Sequence, residues 1–186
     1  MKFDTICVQG SHNPAQNKNT PSVPVYLTTA FSFDNVQYAA DLFDLKAEGD
    51  IYTRLSNPTT NTLEARLASL EGGVGALAVS SGQSASLIAV LNIAKSGDEI
   101  VASENMYGGT INLLDVTLKK MGITTNFVTT NNANDFEAKI TEKTRCIFVE
   151  MLNNPSLKIA DVENIAHIAH KHNIPLIVDN TISTPY

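Results

Sequence analysis

Cys146-Ile147-Phe148-Val149-Glu150, an amphipathic segment from Asp161 to His172, and Pro175-Leu176-Ile177-Val178-Asp179 together decide the fold. Two apolar runs of strand length, each closed by an acid, flank a segment that Asp161 can cap as a helix. Runs that are apolar on both sides predict a parallel pair buried under helices and joined by a right-handed crossover. The same alternation extends upstream. A strand is predicted at 76–80, a helix at 83–95, a strand at 99–102, a helix at 110–121, a strand at 123–128 and a helix at 135–141. Five short strands alternating with helices give an α/β fold, a mostly parallel sheet with helices on both faces. Leu176-Ile177-Val178 is the most continuous run, so the reading makes it a central strand. Only Asn180 to Tyr186 follow it, and the expectation is an α/β domain incomplete at its C-terminal side.

Further toward the N-terminus the pattern is lost. Residues 1–33 are rich in Asn, Thr, Ser and Pro without a sustained apolar period, which reads as an extended arm. Asp34 can cap a helix from Val36 to Lys46, and Gly49 breaks the chain before Ile51-Tyr52-Thr53-Arg54-Leu55-Ser56-Asn57-Pro58-Thr59. A cap near position 60 then opens a helix with Leu63, Leu67 and Leu70 on one face, closed by Gly72-Gly73. The expected division is therefore an arm at 1–58 and an α/β domain at 59–186.

Composition narrows the function classes. Over 186 residues, 43% hydrophobic and 17% charged content describes a soluble globular protein. A net charge of −6 with no basic run argues against nucleic acid as a partner. The apolar runs fall far short of the ~18 residues that span a bilayer, and Met1 to Thr5 lack a secretory apolar region, so no membrane partner and a cytoplasmic location are expected. Cys7 and Cys146 lie far apart, outside metal spacing, and do not make a disulfide framework. No metal site is expected: His167, His170 and His172 fall on one amphipathic helix at spacings that cannot all converge.

In open parallel sheets ligands bind beyond the carboxyl ends of the strands, so the polar residues there are the candidates. Ser81-Gly82-Gln83 joins a strand to a helix start, where free N–H groups and the helix dipole favour an anion; a simple Ser-capped turn is the other reading. Gly73-Val74-Gly75 imitates a dinucleotide fingerprint, but its glycines end a helix and precede a strand, the reverse of what that motif requires. Asp179 ends the most apolar strand, where a carboxylate is costly unless it meets a cation, such as a protonated ring nitrogen, or several donors. A turn-capping Asp is its alternative. Tyr107-Gly108-Gly109-Thr110 places an aromatic beside flexible backbone, suited to stacking on a flat ring. Glu150-Met151-Leu152-Asn153-Asn154-Pro155 offers an acid and an amide, with Pro155 stiffening the turn; an ordinary turn is the other reading. Tyr52 with Arg54 makes a phosphate clamp or an ordinary surface pair.

In this order these pieces resemble the cysteine/methionine-metabolism family of pyridoxal-phosphate enzymes, whose large domain has the aspartate-aminotransferase-like fold. Asp41-Leu42-Phe43, Gly49 to Arg54, Asn57-Pro58-Thr59 and Ser81-Gly82-Gln83 are similar to the branch that exchanges the acetate of O-acetylhomoserine for sulfide. The resemblance implies that pyridoxal 5′-phosphate is the cofactor. Ser81, Gly82 and Gln83 would hold its phosphate, Tyr107 would stack on the ring, Asp179 would pair with the ring nitrogen, Asn154 would bond the ring hydroxyl, and Glu150 and Thr181 would support that site. Tyr107 and Asp179 are thereby the catalytic candidates. Tyr52 and Arg54 would reach the phosphate of a neighbouring subunit, against which the arm packs, which implies a homo-oligomer, a tetramer in the family pattern. The implied partners are an amino-acid substrate and sulfide, and the implied reaction is γ-replacement to homocysteine. None of Lys46, Lys95, Lys119, Lys120 or Lys158 matches the family's Schiff-base lysine, so this chain alone is expected to be inactive. The γ-synthase and γ-lyase branches share nearly all these residues, and a non-catalytic α/β binding domain is the alternative of another class.

Overall fold

A computed structural model describes residues 1–130 and 132–186, which form two compact units, Met1–Ala78 and Val79–Tyr186. In the second unit β1 (Glu99–Ser103), β2 (Thr124–Val128), β3 (Thr144–Glu150) and β4 (Leu176–Asp179) form one sheet in the order β2-β1-β3-β4, every pair parallel. Period-two alternation sorts the strand residues between two cores. Ile100, Ala102, Cys146, Phe148 and Ile177 pack with Val90, Leu114 and Leu118. These last come from α4 (Gly82–Leu91) and from a helical run in which α5 (Gly108–Asn112) passes through a π-turn at Leu113–Thr117 into α6 (Leu118–Lys120). On the other face Val101, Ile147, Val149, Leu176 and Val178 pack with Phe136 of α7 (Ala133–Glu137) and with Ile165, Ile168 and Ala169 of α8 (Val162–Lys171). The parallel α/β sheet covered on both faces is thus present. Asp161 caps α8 as expected, accepting from the Asn164 N–H.

Four strands rather than five are present among the described residues. The run Ala76-Leu77-Ala78-Val79-Ser80 forms no ladder; the Ala78 N–H donates to Glu64 Oε1 (2.7 Å) and Leu77 is 69% exposed. An apolar run becomes a strand only where a neighbouring backbone takes its hydrogen bonds. Among the described residues β4 pairs with β3, and its residues are half-buried. Several helix ends differ from the expectation. α4 stops at Leu91 rather than residue 95, where the Lys95 N–H turns to the Asp98 carboxylate (3.0 Å). α5 starts at Gly108, two residues early, and α7 spans Ala133–Glu137 rather than 135–141, with Asn132 supplying its cap.

The first unit holds α1 (Phe3–Gln9), a 3₁₀ turn at Pro14–Asn17, α2 (Val36–Phe43) and α3 (Pro58–Glu71). Asn35, not Asp34, caps α2 by accepting the Tyr38 N–H (2.8 Å), and the helix ends at Phe43 because Leu45 turns left-handed at φ +57°. Asn57 caps α3, earlier than expected, by accepting the Thr59 N–H (2.9 Å), with Pro58 at the first helical position. Gly72 closes it in the left-handed region at φ +63°. Leu63 and Leu67 of the expected apolar face are exposed, and Arg66 reaches back to the Gly10 carbonyl (2.8 Å), which ties α3 to α1.

Candidate active site

The sheet order places a reversal at its centre. The chain leaves β1 for β2 on one side and returns for β3 on the other, so a crevice opens between the carboxyl ends of β1 and β3. A cavity of about 360 Å³ lies there, lined by Ser81, Gly82, Gln83, Tyr107, Glu150, Asn154, Asp179, Thr181 and Ile182. All the candidates of the second unit converge on it. Beside it an apolar crevice of about 270 Å³, formed by Ala85, Ala89, Phe148, Ile177 and Val178 among others, shares Gly82, Asp179 and Thr181.

Each wall has a local cause. Ser81 caps α4, its Oγ accepting the Ser84 N–H (3.1 Å) while its carbonyl takes the Ala85 N–H. The N–H groups of Gly82 and Gln83 then have no intrahelical acceptor and stand at the positive end of the helix. A methyl group built on Gly82 meets nothing within 4 Å, so the space before these N–H groups is open. The Gln83 side chain donates to Thr110 Oγ1 (3.2 Å), fastening α4 to the buried start of α5. Tyr107 stands just before α5 with half its surface exposed, and a side chain at Gly109 would collide with its ring.

Glu150 and Asp179 are register partners at the ends of β3 and β4, and strand alternation points both toward the α4 face. Glu150 is only 5% exposed. Its Oε2 accepts the backbone N–H of Tyr107 (3.0 Å) and of Asn154 (3.2 Å). Asp179 is less buried than the sequence suggested: it is half-buried, with Oδ1 accepting from the Thr181 N–H (3.0 Å) and hydroxyl. Sitting at the open rim lowers the desolvation cost that a fully buried carboxylate would face, and the turn-capping geometry holds as well. Among the described residues neither carboxylate meets a cation, and no Lys, Arg or His lines the cavity.

Tyr52 and Arg54 belong to the first unit. There the Arg54 guanidinium stands 4.7 Å from the centre of the Tyr52 ring, a cation–π pair, and Arg54 is exposed. Thr110 and Asn153 lie inside the quoted stretches but had no role assigned there, and Ile182 lies outside them. Asn153 is 1% exposed and donates to the Glu150 carbonyl (3.0 Å). Two consecutive Asn after a strand were the signal, but alternation does not say which turns inward. The strongest pKa shifts lie elsewhere: burial pushes the Cys146 thiol up to about 12, and a hydrogen bond from Arg145 holds the Asp98 carboxyl below its ordinary range. Glu137 is lowered chiefly by Lys171 and then by His172, each 2.8 Å away.

Residues 4–186 match the family model described as Cys/Met metabolism PLP-dependent enzyme. The chain belongs to that family. O-acetyl-L-homoserine sulfhydrylase of Leptospira meyeri is 45% identical over 186 residues, covering 100% of this chain and 42% of its own length. Homocysteine/cysteine synthase of Saccharomyces cerevisiae is 44% identical, covering 96% and 41%. An O-acetylhomoserine (thiol)-lyase structure from Campylobacter jejuni superposes with a TM-score of 0.95 at 42% identity, covering 100% of this chain and 45% of that one; it holds N′-pyridoxyl-lysine-5′-monophosphate. This Cys/Met metabolism PLP-dependent chain therefore spans about two fifths of the length of the curated relatives it matches. Its cavity suits the family's cofactor chemically. Unpaired helix N–H groups suit an ester phosphate, an exposed aromatic suits a ring face, and a carboxylate without a cation suits a protonated ring nitrogen.

Proposed function

We propose that this chain is the cofactor-binding part of a pyridoxal-phosphate enzyme that replaces the γ-acetate of O-acetylhomoserine by sulfide, giving homocysteine and acetate. The observation that carries the reading is the convergence on one cavity of the α4 N-terminus, Tyr107, Asn154 and Asp179. In this reading the N–H groups of Gly82 and Gln83, with Ser81, bind the phosphate. Tyr107 covers one face of the ring, Asn154 bonds its hydroxyl, and Asp179, oriented by Thr181, keeps the ring nitrogen protonated. When bound, the cofactor supplies an electron sink for the substrate's Cα–H and Cβ–H bonds. Asp179 makes that sink effective by holding the nitrogen's proton.

The Tyr52 and Arg54 pair extends the reading to an oligomer, in which it completes the phosphate site of a neighbouring copy. Among the described residues no helix is long and apolar enough to cross a membrane, and the proposed location is the cytoplasm. Two measurements test the function. Pyridoxal 5′-phosphate titrated into the chain should bind saturably, and Asp179→Asn should weaken it by about tenfold or more, the scale of a lost charge-assisted hydrogen bond. A full-length protein given O-acetylhomoserine and sulfide should release homocysteine and acetate. Absence of saturable binding removes the cofactor reading; preferential turnover of cystathionine or methionine moves the protein to a sister branch.

A further inference from the structure

The crevice at the sheet reversal is spanned by one side chain. Glu150 leaves the end of β3, and its Oε2 takes the N–H of Tyr107 from the loop after β1 and the N–H of Asn154 from its own loop. The loops that follow the paired strands β1 and β3 thus meet at a single buried oxygen. The carboxylate is tolerated there because both bonds come from backbone N–H groups and because Tyr107 is the residue that opens α5, so the charge sits at a helix start. Its other oxygen, Oε1, accepts no hydrogen bond from the described residues.

We infer that Glu150 is a positioning residue. It acts through the two loops it joins, setting the spacing between Tyr107 and Asn154, and so the width of the slot into which a flat aromatic ring slides. This rests on the cofactor reading above and deepens it, naming what holds the slot at its width before any ligand enters. What the role requires is reach and one oxygen acceptor, not charge. A glutamine keeps both: its carbonyl oxygen takes the place of Oε2, and its NH₂ occupies the position of Oε1, where no protein donor is displaced. An aspartate keeps the charge but is one methylene shorter, so it cannot hold N–H groups now 3.0 and 3.2 Å away in both loops.

The test compares Glu150→Gln and Glu150→Asp with the unaltered chain, with far-UV circular dichroism and melting temperature measured on all three. The first readout needs no ligand: hydrogen exchange of the Tyr107 and Asn154 amides by NMR. The second is the dissociation constant of pyridoxamine 5′-phosphate, which has no aldehyde and forms no imine with surface lysines. The Gln variant should keep both amides protected and its affinity within about threefold, whereas the Asp variant should lose the protection and bind about tenfold more weakly. An Asp variant that matches the unaltered chain overturns the inference, as does a Gln variant that fails as Asp does, because charge would then be the requirement. The outcomes also separate this inference from the reading beneath it. Amide protection that follows the expected order without any binding of the probe sinks the cofactor reading and leaves the clamp standing. Equal binding by all three with unchanged exchange sinks the clamp alone.

Discussion

Phe148 couples the core to the site, and its truncation tests both. Its ring is 1% exposed, packs with Val90, Leu114 and Leu118 on the helical side of β3, and forms the floor of the apolar crevice beside the cavity. An aromatic of this size buries ~150–250 Å², which at ~25 cal/mol per Å² corresponds to about 4–6 kcal/mol. That is an upper figure, because unfolded chains already bury part of their apolar surface, and Phe→Ala changes in cores fall at ~3–5 kcal/mol. Against a domain stability of ~5–15 kcal/mol, Phe148→Ala should remove a large share. Urea denaturation followed by circular dichroism at constant m reads the loss directly. Leu157→Ala serves as control: that side chain is 69% exposed and its truncation should cost no more than ~0.5 kcal/mol. Because α4 rests on the same cluster, the variant should also bind pyridoxamine 5′-phosphate more weakly than the control. A Phe148→Ala loss below ~1 kcal/mol, or one no greater than that of Leu157→Ala, would refute the packing of α4 and α5 over β3 on which the site depends.

Two further expectations concern groups away from the site. Cys146 is buried with its thiol pushed up to about 12, whereas Cys7 is exposed, so a thiol reagent at pH 8 should label one equivalent in the native chain and two in denaturant; two in the native state would contradict the buried position. Asp98 is held below its ordinary range by the hydrogen bond from Arg145, and a depressed carboxyl gives stability that is present above the unfolded value of ~3.9 and is lost as the pH falls through the lower folded value. Asp98→Asn should therefore lower the melting temperature at pH 7 and flatten its fall as the pH drops below about 4; an unchanged acid limb would remove Asp98 as a contributor.

What was legible in the sequence followed from periodicity and from chain direction. The alternation around Phe148 and Ile177 gave parallel strands covered on both faces, and the rule that ligands gather beyond carboxyl ends selected Ser81, Gly82, Gln83, Tyr107, Glu150, Asn154, Asp179 and Thr181, which the fold brings to one cavity. The misses share a cause. Ala76 to Ser80 has strand composition, but a strand is a property of two segments, and its hydrogen-bonding goes to Glu64 instead. Caps slipped by a residue or more at Asn35, Asn57 and Asn132, since neighbouring Asp, Asn and Thr compete for the same N–H groups and only the backbone angle of the capping residue chooses between them. Nothing in the linear order of residues foretold that Glu150 would bridge to Tyr107, forty-three positions away.

The distribution of charge around the cavity constrains the ligand more narrowly than its volume does. Of the two carboxylates, Glu150 is compensated from within, by two backbone N–H groups and by the start of α5. Asp179 has only Thr181, and its neighbour in register is another acid. In the same space the N–H groups of Gly82 and Gln83 form a positive pole with no protein anion among the lining residues to answer it apart from those two acids. The protein's own groups therefore leave one uncompensated pole of each sign. A simple anion such as inorganic phosphate answers the helix but adds repulsion toward Asp179, and a simple cation does the reverse. A molecule with an anionic ester at one end, a protonated nitrogen at the other and a flat apolar body between them neutralises both poles while covering the face of Tyr107. A pyridoxal-type ring has that layout, and Asp179 can be left half-open at the rim because the charge it needs comes with the ligand.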